Sequence, residues 1–133
     1  MQKTQILLVL SDISHELTIK NILELEKWIE IVGITEKQKE AIELSERFSP
    51  DVVVIDFDLQ EEGLKTGELI MKKRPSTKII ALSLYDFIGN VKVKKISQEE
   101  SKIASSFEWI SKNSSPLALI DSIAEAKTSK KLN

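Results

Sequence analysis

The chain has 133 residues, of which 41% are hydrophobic and 30% charged, and its net charge is −2. These values predict one globular domain with a core of its own, and they give no support for nonspecific binding to nucleic acid. The absence of cysteine excludes disulfides and zinc–cysteine sites, and the single histidine, His15, excludes a multi-histidine metal site. Without an apolar run of membrane-spanning length or a signal peptide, we expect a cytoplasmic protein with no membrane contact.

Short apolar segments predict five β-strands, and segments with helical periodicity lie between them. The predicted strands are 5–10, 29–34, 51–56, 78–83 and 107–111. The predicted helices are 14–28, 36–48, 67–73, a segment from 97 to about 106, and one that begins at Ser114-Ser115-Pro116. This alternation predicts a parallel sheet with helices on both faces, an α/β three-layer sandwich.

Between these elements, several local features carry expectations of their own. Thr35 and Gln38 resemble a capping box for the second helix, and the acidic composition of 57–66 predicts a loop. The segment 84–106 is the least clear, because Val91, Val93 and Ile96 alternate with polar residues as in a strand. We expect the domain to cover 1–127 and a polar tail, 128–133, to fray.

The stretch 50–59 is the most informative part of the sequence. Four apolar β-forming residues run from Val52 into Asp56, and Asp58 lies two residues further on. Such a run predicts a central strand that is buried on both faces. The carboxyl ends of parallel strands form the edge where ligands bind, so Asp56 is expected there. An aspartate in this position also occurs as a simple cap of a strand end.

Polar side chains follow four of the predicted strands. They are Asp12 after the first strand, Asp56 and Asp58 after the third, Ser83 at the end of the fourth and Lys112 after the fifth. In a flavodoxin-like sheet, with strand order 2-1-3-4-5, these residues would converge. Carboxylates without histidine or cysteine suit Mg²⁺. An ionised Asp56 is a competent nucleophile toward phosphorus, and Lys112 and the metal would stabilise the charge of an in-line phosphoryl transfer.

These motifs resemble the receiver domain of two-component response regulators, over about residues 5–126. The resemblance rests on a phosphoacceptor-like strand at 50–56, a strand ending in a switch hydroxyl at 79–83, and an aromatic residue three positions before a lysine at 109–112. The entry to the last helix, 113–117, is similar to that of regulators with a helix-turn-helix output domain. The resemblance implies that Asp56 is the phosphoacceptor, that Asp12, Asp56 and the backbone of Asp58 bind Mg²⁺, and that Ser83 and Trp109 act as switch residues.

The resemblance also implies a function. A sensor histidine kinase or a phosphotransfer protein would phosphorylate Asp56, and the surface of 84–111 would change. An output protein or a second copy of the chain would then bind that surface. Such a domain is not an enzyme beyond its own phosphorylation and dephosphorylation, and it does not contact nucleic acid directly.

The sequence departs from the receiver pattern in ways that keep alternatives open. Ser11 replaces the first of two acids that usually follow strand 1, and Leu84 is bulky where a small residue is usual. The loop after Asp56 and the segment from Ser83 to Lys112 are longer than typical. These departures favour an unphosphorylated pseudo-receiver that acts as an interaction module. A flavodoxin-like domain for a small ligand is the third reading, although no glycine-rich phosphate loop follows strand 1.

Overall fold

The computed structural model describes residues 2–11, 13–57, 61–83, 98–112 and 114–132. Within these residues, five strands alternate with five helices, as the apolar pattern predicts. The strands are β1 Thr4–Val9, β2 Ile29–Thr35, β3 Val52–Asp56, β4 Lys78–Ser83 and β5 Glu108–Ser111. The helices are α1 Ile13–Glu24, α2 Gln38–Phe48, α3 Glu61–Lys73, α4 Gln98–Ser105 and α5 Pro116–Leu132.

The sheet is parallel throughout and has the order β2-β1-β3-β4-β5, which confirms the predicted flavodoxin-like topology. Strand β3 lies in the middle, and all five of its residues are 0% exposed. A strand covered on both faces has no solvent-facing side, so every position is apolar until the chain reaches Asp56. This burial fixes the end of β3, and therefore Asp56, in place.

Two apolar clusters cover the two faces of the sheet. One joins β1 and β3 to α1 and α5, with Ile19, Leu23, Leu119 and Ile123 contributed by the helices. The other joins the opposite face to α2, α3 and α4, with Ala41, Leu64, Ile70 and Ala104. The three-layer arrangement predicted from the sequence is thereby confirmed. None of the described helices is both long enough and apolar enough to cross a lipid bilayer.

The predicted loop over 57–66 is wrong in its second half, because α3 begins at Glu61. Its early residue Leu64 is buried in the core, and Gly63 packs closely against the carbonyl group of Asp56. Acidic residues and a glycine suggested a loop, but acidic residues are also favourable in the first turn of a helix, near the positive end of its dipole. The helix therefore begins close behind Asp56.

Two predicted helix boundaries also need correction. Helix α1 ends at Glu24 rather than at 28, because Leu25 is 81% exposed and does not extend the apolar face. The capping box is not formed: α2 begins at Gln38 with Lys37 as its N-cap, and the Thr35 hydroxyl accepts the Lys37 N–H instead.

Two further predictions concern the fourth and the fifth helix. The helix predicted from 97 is present as α4, while the strand-like residues Val91, Val93 and Ile96 lie outside the described residues. Helix α5 continues to Leu132 and so includes most of the predicted polar tail.

Candidate functional site

Three strand ends meet at Asp56, which is the last residue of β3 and 0% exposed. Strands β1 and β4 are its direct neighbours, and β5 lies one strand further away. Adjacent strands are about 4.8 Å apart, so a group on β1 or β4 needs only a short side chain to approach Asp56, whereas a group on β5 has to span about 10 Å. The residue types found here match that requirement, with a serine after β1 and a lysine after β5.

Lys112 reaches across β4 and forms an ion pair with Asp56. Its Nζ lies 2.6 Å from Oδ1 of Asp56, and the lysine side chain is only 9% exposed. The backbone N–H of Lys112 donates to the carbonyl of Ser83 at 2.7 Å, which ties the residue to the end of β4. Burying two charges costs solvation free energy that the attraction between them repays only when the geometry is good. The short distance and the backbone tie provide that geometry.

Ser11 contacts the other oxygen of the same carboxylate. Its hydroxyl donates to Oδ2 of Asp56 at 2.7 Å, and its backbone N–H lies 3.4 Å from the same oxygen. In the β1–β3 register Val9 lies opposite Ile55, so Ser11 follows the strand end directly beside Asp56. The sequence identified Ser11 as a missing acid and as one of three candidate caps of the first helix, but not as a partner of Asp56. Its position one strand away from Asp56 was the available signal that its hydroxyl could reach the carboxylate.

The other residues that the sequence predicts for the site are Ser83, Asp12 and Asp58. Ser83 is buried at the end of β4, one position past Leu82, which is the register partner of Asp56. Asp12 and Asp58 lie outside the described residues. Within the described part of the chain, no three acidic or histidine side chains are grouped closely enough to hold a metal ion.

The chemistry of the described donors nevertheless suits Mg²⁺. The cation prefers carboxylate and other oxygen ligands, and it keeps several of its water molecules. The Asp56 carboxylate is such a ligand, and the Ser11 hydroxyl oxygen lies 2.7 Å from it. The Asp12 carboxylate and the backbone carbonyl of Asp58 are the further ligands that the resemblance to receiver domains predicts.

An aromatic cluster lies directly behind the site. Phe57 follows Asp56 in the chain and packs edge-on against Trp109, with ring centroids 4.4 Å apart at 72°. Phe107 completes the cluster, at 6.4 Å from Phe57 and 6.3 Å from Trp109. A Cβ atom placed on Gly67 would lie 2.5 Å from the Phe107 ring, so only glycine allows α3 this close to the cluster. Sequence reasoning selected Trp109 but missed both phenylalanines.

Trp109 also connects the cluster to α4. Its indole N–H donates to the carbonyl of Ala104, in the last turn of that helix, at 2.7 Å. Asp56, Phe57, Trp109 and α4 therefore form a continuous series of covalent, aromatic and hydrogen-bonded contacts. A change in the position of Asp56 has a direct structural route to α4.

Comparison with known proteins gives a family. The sequence matches the response regulator receiver domain over residues 6–123. It is 30% identical over 69 residues to the transcriptional regulatory protein DegU of Brevibacillus brevis, covering 51% of this chain and 29% of that protein. It is 32% identical over 85 residues to a protein-glutamate methylesterase/protein-glutamine glutaminase 2 of Carboxydothermus hydrogenoformans, covering 63% of this chain and 24% of that protein. The chain thus matches less than a third of the length of these curated relatives.

Solved structures agree with the fold. The response regulator domain of Thermotoga maritima CheB superposes with a TM-score of 0.76 at 20% identity, over 94% of this chain and 96% of that one. A CheY-like receiver domain protein from Methanospirillum hungatei JF-1 superposes with a TM-score of 0.74 at 25% identity over the full length of both chains. The chain therefore belongs to the response regulator receiver domain family of two-component systems.

Proposed function

We propose that this domain is a phosphorylation-dependent switch whose phosphoacceptor is Asp56. The donor is a sensor histidine kinase or a phosphotransfer protein, and Mg²⁺ is the cofactor. The observation that carries the proposal is the fully buried Asp56 carboxylate with the Lys112 ammonium 2.6 Å from Oδ1. A residue that only capped a strand end would not need a buried cation brought from two strands away. The proposal includes a cytoplasmic location and no direct contact with nucleic acid or membrane.

The reaction uses the two charged groups in different roles. A carboxylate oxygen of Asp56 attacks phosphorus, and the bond between phosphorus and the donor histidine nitrogen breaks as the new oxygen–phosphorus bond forms. The Lys112 ammonium stabilises the negative charge on the phosphoryl oxygens. Asp56, Asp12 and the backbone carbonyl of Asp58 would hold Mg²⁺, which when bound would supply further positive charge to the same oxygens. The Ser83 hydroxyl then donates a hydrogen bond to the attached phosphoryl group.

Phosphorylation would act on the rest of the domain through Phe57 and Trp109. The phosphoryl group adds volume and negative charge where Lys112 now contacts Oδ1, so both Lys112 and the adjoining backbone have to adjust. Phe57 is the next residue and packs on Trp109, which holds the carbonyl of Ala104. The result is a shift in the populations of two arrangements of α4, biased by the charge at Asp56.

The region 84–111 is the proposed contact surface for an output protein or for a second copy of the chain. Within the described part of this region, α4 lies beside an open surface depression that is lined by Glu68, Met71, Lys72 and Ile103. The hydrogen bond from Trp109 to Ala104 joins this helix to the aromatic cluster behind Asp56. This contact supports α4 as the element that changes position.

Beryllofluoride, which mimics a phosphoryl group on aspartate, provides the test. The protein is incubated with beryllium, fluoride and Mg²⁺, and bound fluoride is observed by ¹⁹F NMR. We expect an Mg²⁺-dependent adduct in the wild-type protein and none in Asp56→Asn. The absence of an adduct in both proteins would contradict the proposal. It would favour the pseudo-receiver alternative, in which the Ser11 hydroxyl holds Oδ2 of Asp56 where receiver domains usually have an acid.

A further inference from the structure

Ser11 makes an unusually complete contact with one oxygen of Asp56. Oδ2 accepts the Ser11 hydroxyl at 2.7 Å and faces the Ser11 backbone N–H at 3.4 Å. A carboxylate oxygen can accept two hydrogen bonds, and Ser11 alone supplies two donors to this one. Hydrogen bonds to an ionised acceptor are shorter and stronger than those between neutral groups, and the hydroxyl contact has the expected length.

The Lys112 ammonium group compensates the negative charge of the same carboxylate, and it does so at the other carboxylate oxygen. Its ammonium group lies 2.6 Å from Oδ1, so Asp56 has a cation on one oxygen and two neutral donors on the other. Protein groups alone therefore stabilise the ionised, buried carboxylate. A divalent cation is not needed to hold Asp56 in its orientation.

A cation that coordinates Oδ2 needs a lone pair that the Ser11 donors now occupy. The hydroxyl hydrogen would have to turn away from Oδ2 before the metal–oxygen contact could form, because a proton and a cation cannot share one lone pair. The free energy of the Ser11–Asp56 hydrogen bond is then subtracted from the free energy of cation binding. Ser11 can rotate its hydroxyl without moving the backbone, so the cost is confined to this one contact.

We infer that Ser11 is a positioning residue that sets how much Mg²⁺ the site requires. Its hydroxyl keeps Asp56 oriented in the metal-free protein and competes with the cation for Oδ2. The inference rests on the proposed function and adds its regulation: the switch would be loaded only where free Mg²⁺ is high enough to displace the Ser11 hydroxyl.

The test measures the thermal midpoint of the protein as Mg²⁺ is added, because a ligand that binds only the folded state stabilises it by RT ln(1 + [L]/Kd). The quantity compared is the half-saturating Mg²⁺ concentration, which is the Kd obtained by fitting this relation to the midpoints. We expect this concentration to fall about tenfold in Ser11→Ala, a typical consequence of removing a hydrogen bond to a charged group. Ser11→Thr retains the hydroxyl and should stay within about twofold of the wild-type value.

Thr77→Val is the matched control, since it also removes a buried hydroxyl hydrogen bond but at the opposite edge of the sheet. The Thr77 hydroxyl donates to the carbonyl of Pro50 at 3.1 Å, and the residue is 5% exposed. This variant should lower the midpoint while leaving the half-saturating Mg²⁺ concentration unchanged. Ser11→Gly lacks the hydroxyl as well, and it replaces Ser11→Ala if that variant does not fold.

Three results would overturn the inference. A higher half-saturating concentration in Ser11→Ala would show that the hydroxyl is a ligand of the cation rather than its competitor. An unchanged concentration, or no Mg²⁺-dependent shift in either protein, would show that the Ser11 contact has no influence on the cation. The beryllofluoride adduct is measured separately on the wild-type protein, so its absence would count against phosphorylation of Asp56 and not against the competition at Oδ2.

Discussion

One lysine–carboxylate pair lies where the parallel strands end, the carboxyl edge of the sheet, and another lies where they begin, the amino edge. The two pairs differ in burial. At the carboxyl edge, Lys112 and Asp56 are 9% and 0% exposed, and they are brought together across an intervening strand. At the amino edge, Lys78 and Glu108 begin the neighbouring strands β4 and β5, lie 2.7 Å apart, and are 23% and 37% exposed. The two pairs have the same chemistry in different solvent environments.

The amino-edge pair is explained by structure alone. Lys78 also donates to the carbonyl of Ser122 at 2.8 Å and lies 4.0 Å from Glu125, so it ties α5 to the sheet. Water can solvate any of these groups if a partner is lost. At the carboxyl edge, water cannot solvate the fully buried Asp56 if Lys112 is lost. A buried ion pair also contributes little net stability compared with an apolar pair. The proposed phosphorylation at Asp56 would account for the carboxyl-edge pair, whose net contribution to stability is small.

The largest expected effect comes from removing one member of each pair. Lys112→Met should lower the free energy of unfolding by about 3 kcal/mol, because Asp56 remains as a buried charge without a cation. Lys78→Met should cost less than about 1 kcal/mol, as is usual for pairs with access to solvent. Urea denaturation of both variants gives the comparison. Equal losses would contradict the distinction between the two edges.

The double variant Asp56→Asn/Lys112→Met sharpens the same comparison. It removes both charges at once, so most of the stability lost in Lys112→Met should return. Its free energy of unfolding is measured beside those of the single variants Asp56→Asn and Lys112→Met. If the double variant were as unstable as Lys112→Met, the loss would come from the packing of the lysine side chain and not from its charge.

Phe107 directly precedes β5 at the amino edge and packs in the cluster with Trp109. Gly67→Ala places a methyl group against the ring and should lower stability by about 1–2 kcal/mol, the usual cost of overpacking less the gain in helix propensity. Gly33→Ala is the control, because its added methyl group meets the flexible ends of Leu44 and Leu7. Thermal unfolding should show the larger loss in Gly67→Ala, and the reverse order would contradict the close packing at Phe107.

Trp109→Phe tests the contact between the carboxyl edge and α4. The variant keeps an aromatic ring but loses the N–H that donates to Ala104, which should cost about 1 kcal/mol. Hydrogen exchange of the α4 amides should become faster, while the amides of β3 keep their protection. Trp28→Phe is the control, because the Trp28 N–H donates locally to Glu26 and not to α4. Unchanged exchange in α4 would show that Trp109 does not hold this helix.

The smallest expected effect is a pH dependence at the amino edge. Burial alone would raise the pKa of Glu108, but the hydrogen bonds of Lys78 and Ser122 and the charge of Lys78 together outweigh it and hold that pKa below its ordinary value of 4.5. The carboxylate therefore stabilises the fold fully above that ordinary value, and this contribution is lost as the pH falls through the pKa of the folded state. Glu108→Gln should lose less stability than the wild-type protein between about pH 5 and about pH 3. An identical acid dependence of the two proteins would contradict this contribution.

The sequence predicted the core and the main ion pair because both depend on simple patterns. An apolar run that ends in Asp56 defines a buried central strand, and strand order then determines that Lys112 lies at the same edge. The start of α3 was missed because Glu61, Glu62 and Gly63 are as common in loops as in the first turn of a helix. The contacts of Ser11, Phe57 and Phe107 were missed because they depend on side-chain packing between strands that are distant in sequence.

The most direct test of the central claim uses Trp109 as a fluorescent reporter of Asp56. A Trp28→Phe background leaves Trp109 as the single tryptophan, and its ring contacts Phe57 next to Asp56. We predict a saturable change in fluorescence when beryllofluoride is added with Mg²⁺, and no change when Asp56→Asn is added to the same background. A beryllofluoride adduct without any response of Trp109 would contradict the proposed route to α4. An equal response in the Asp56→Asn variant would contradict Asp56 as the acceptor.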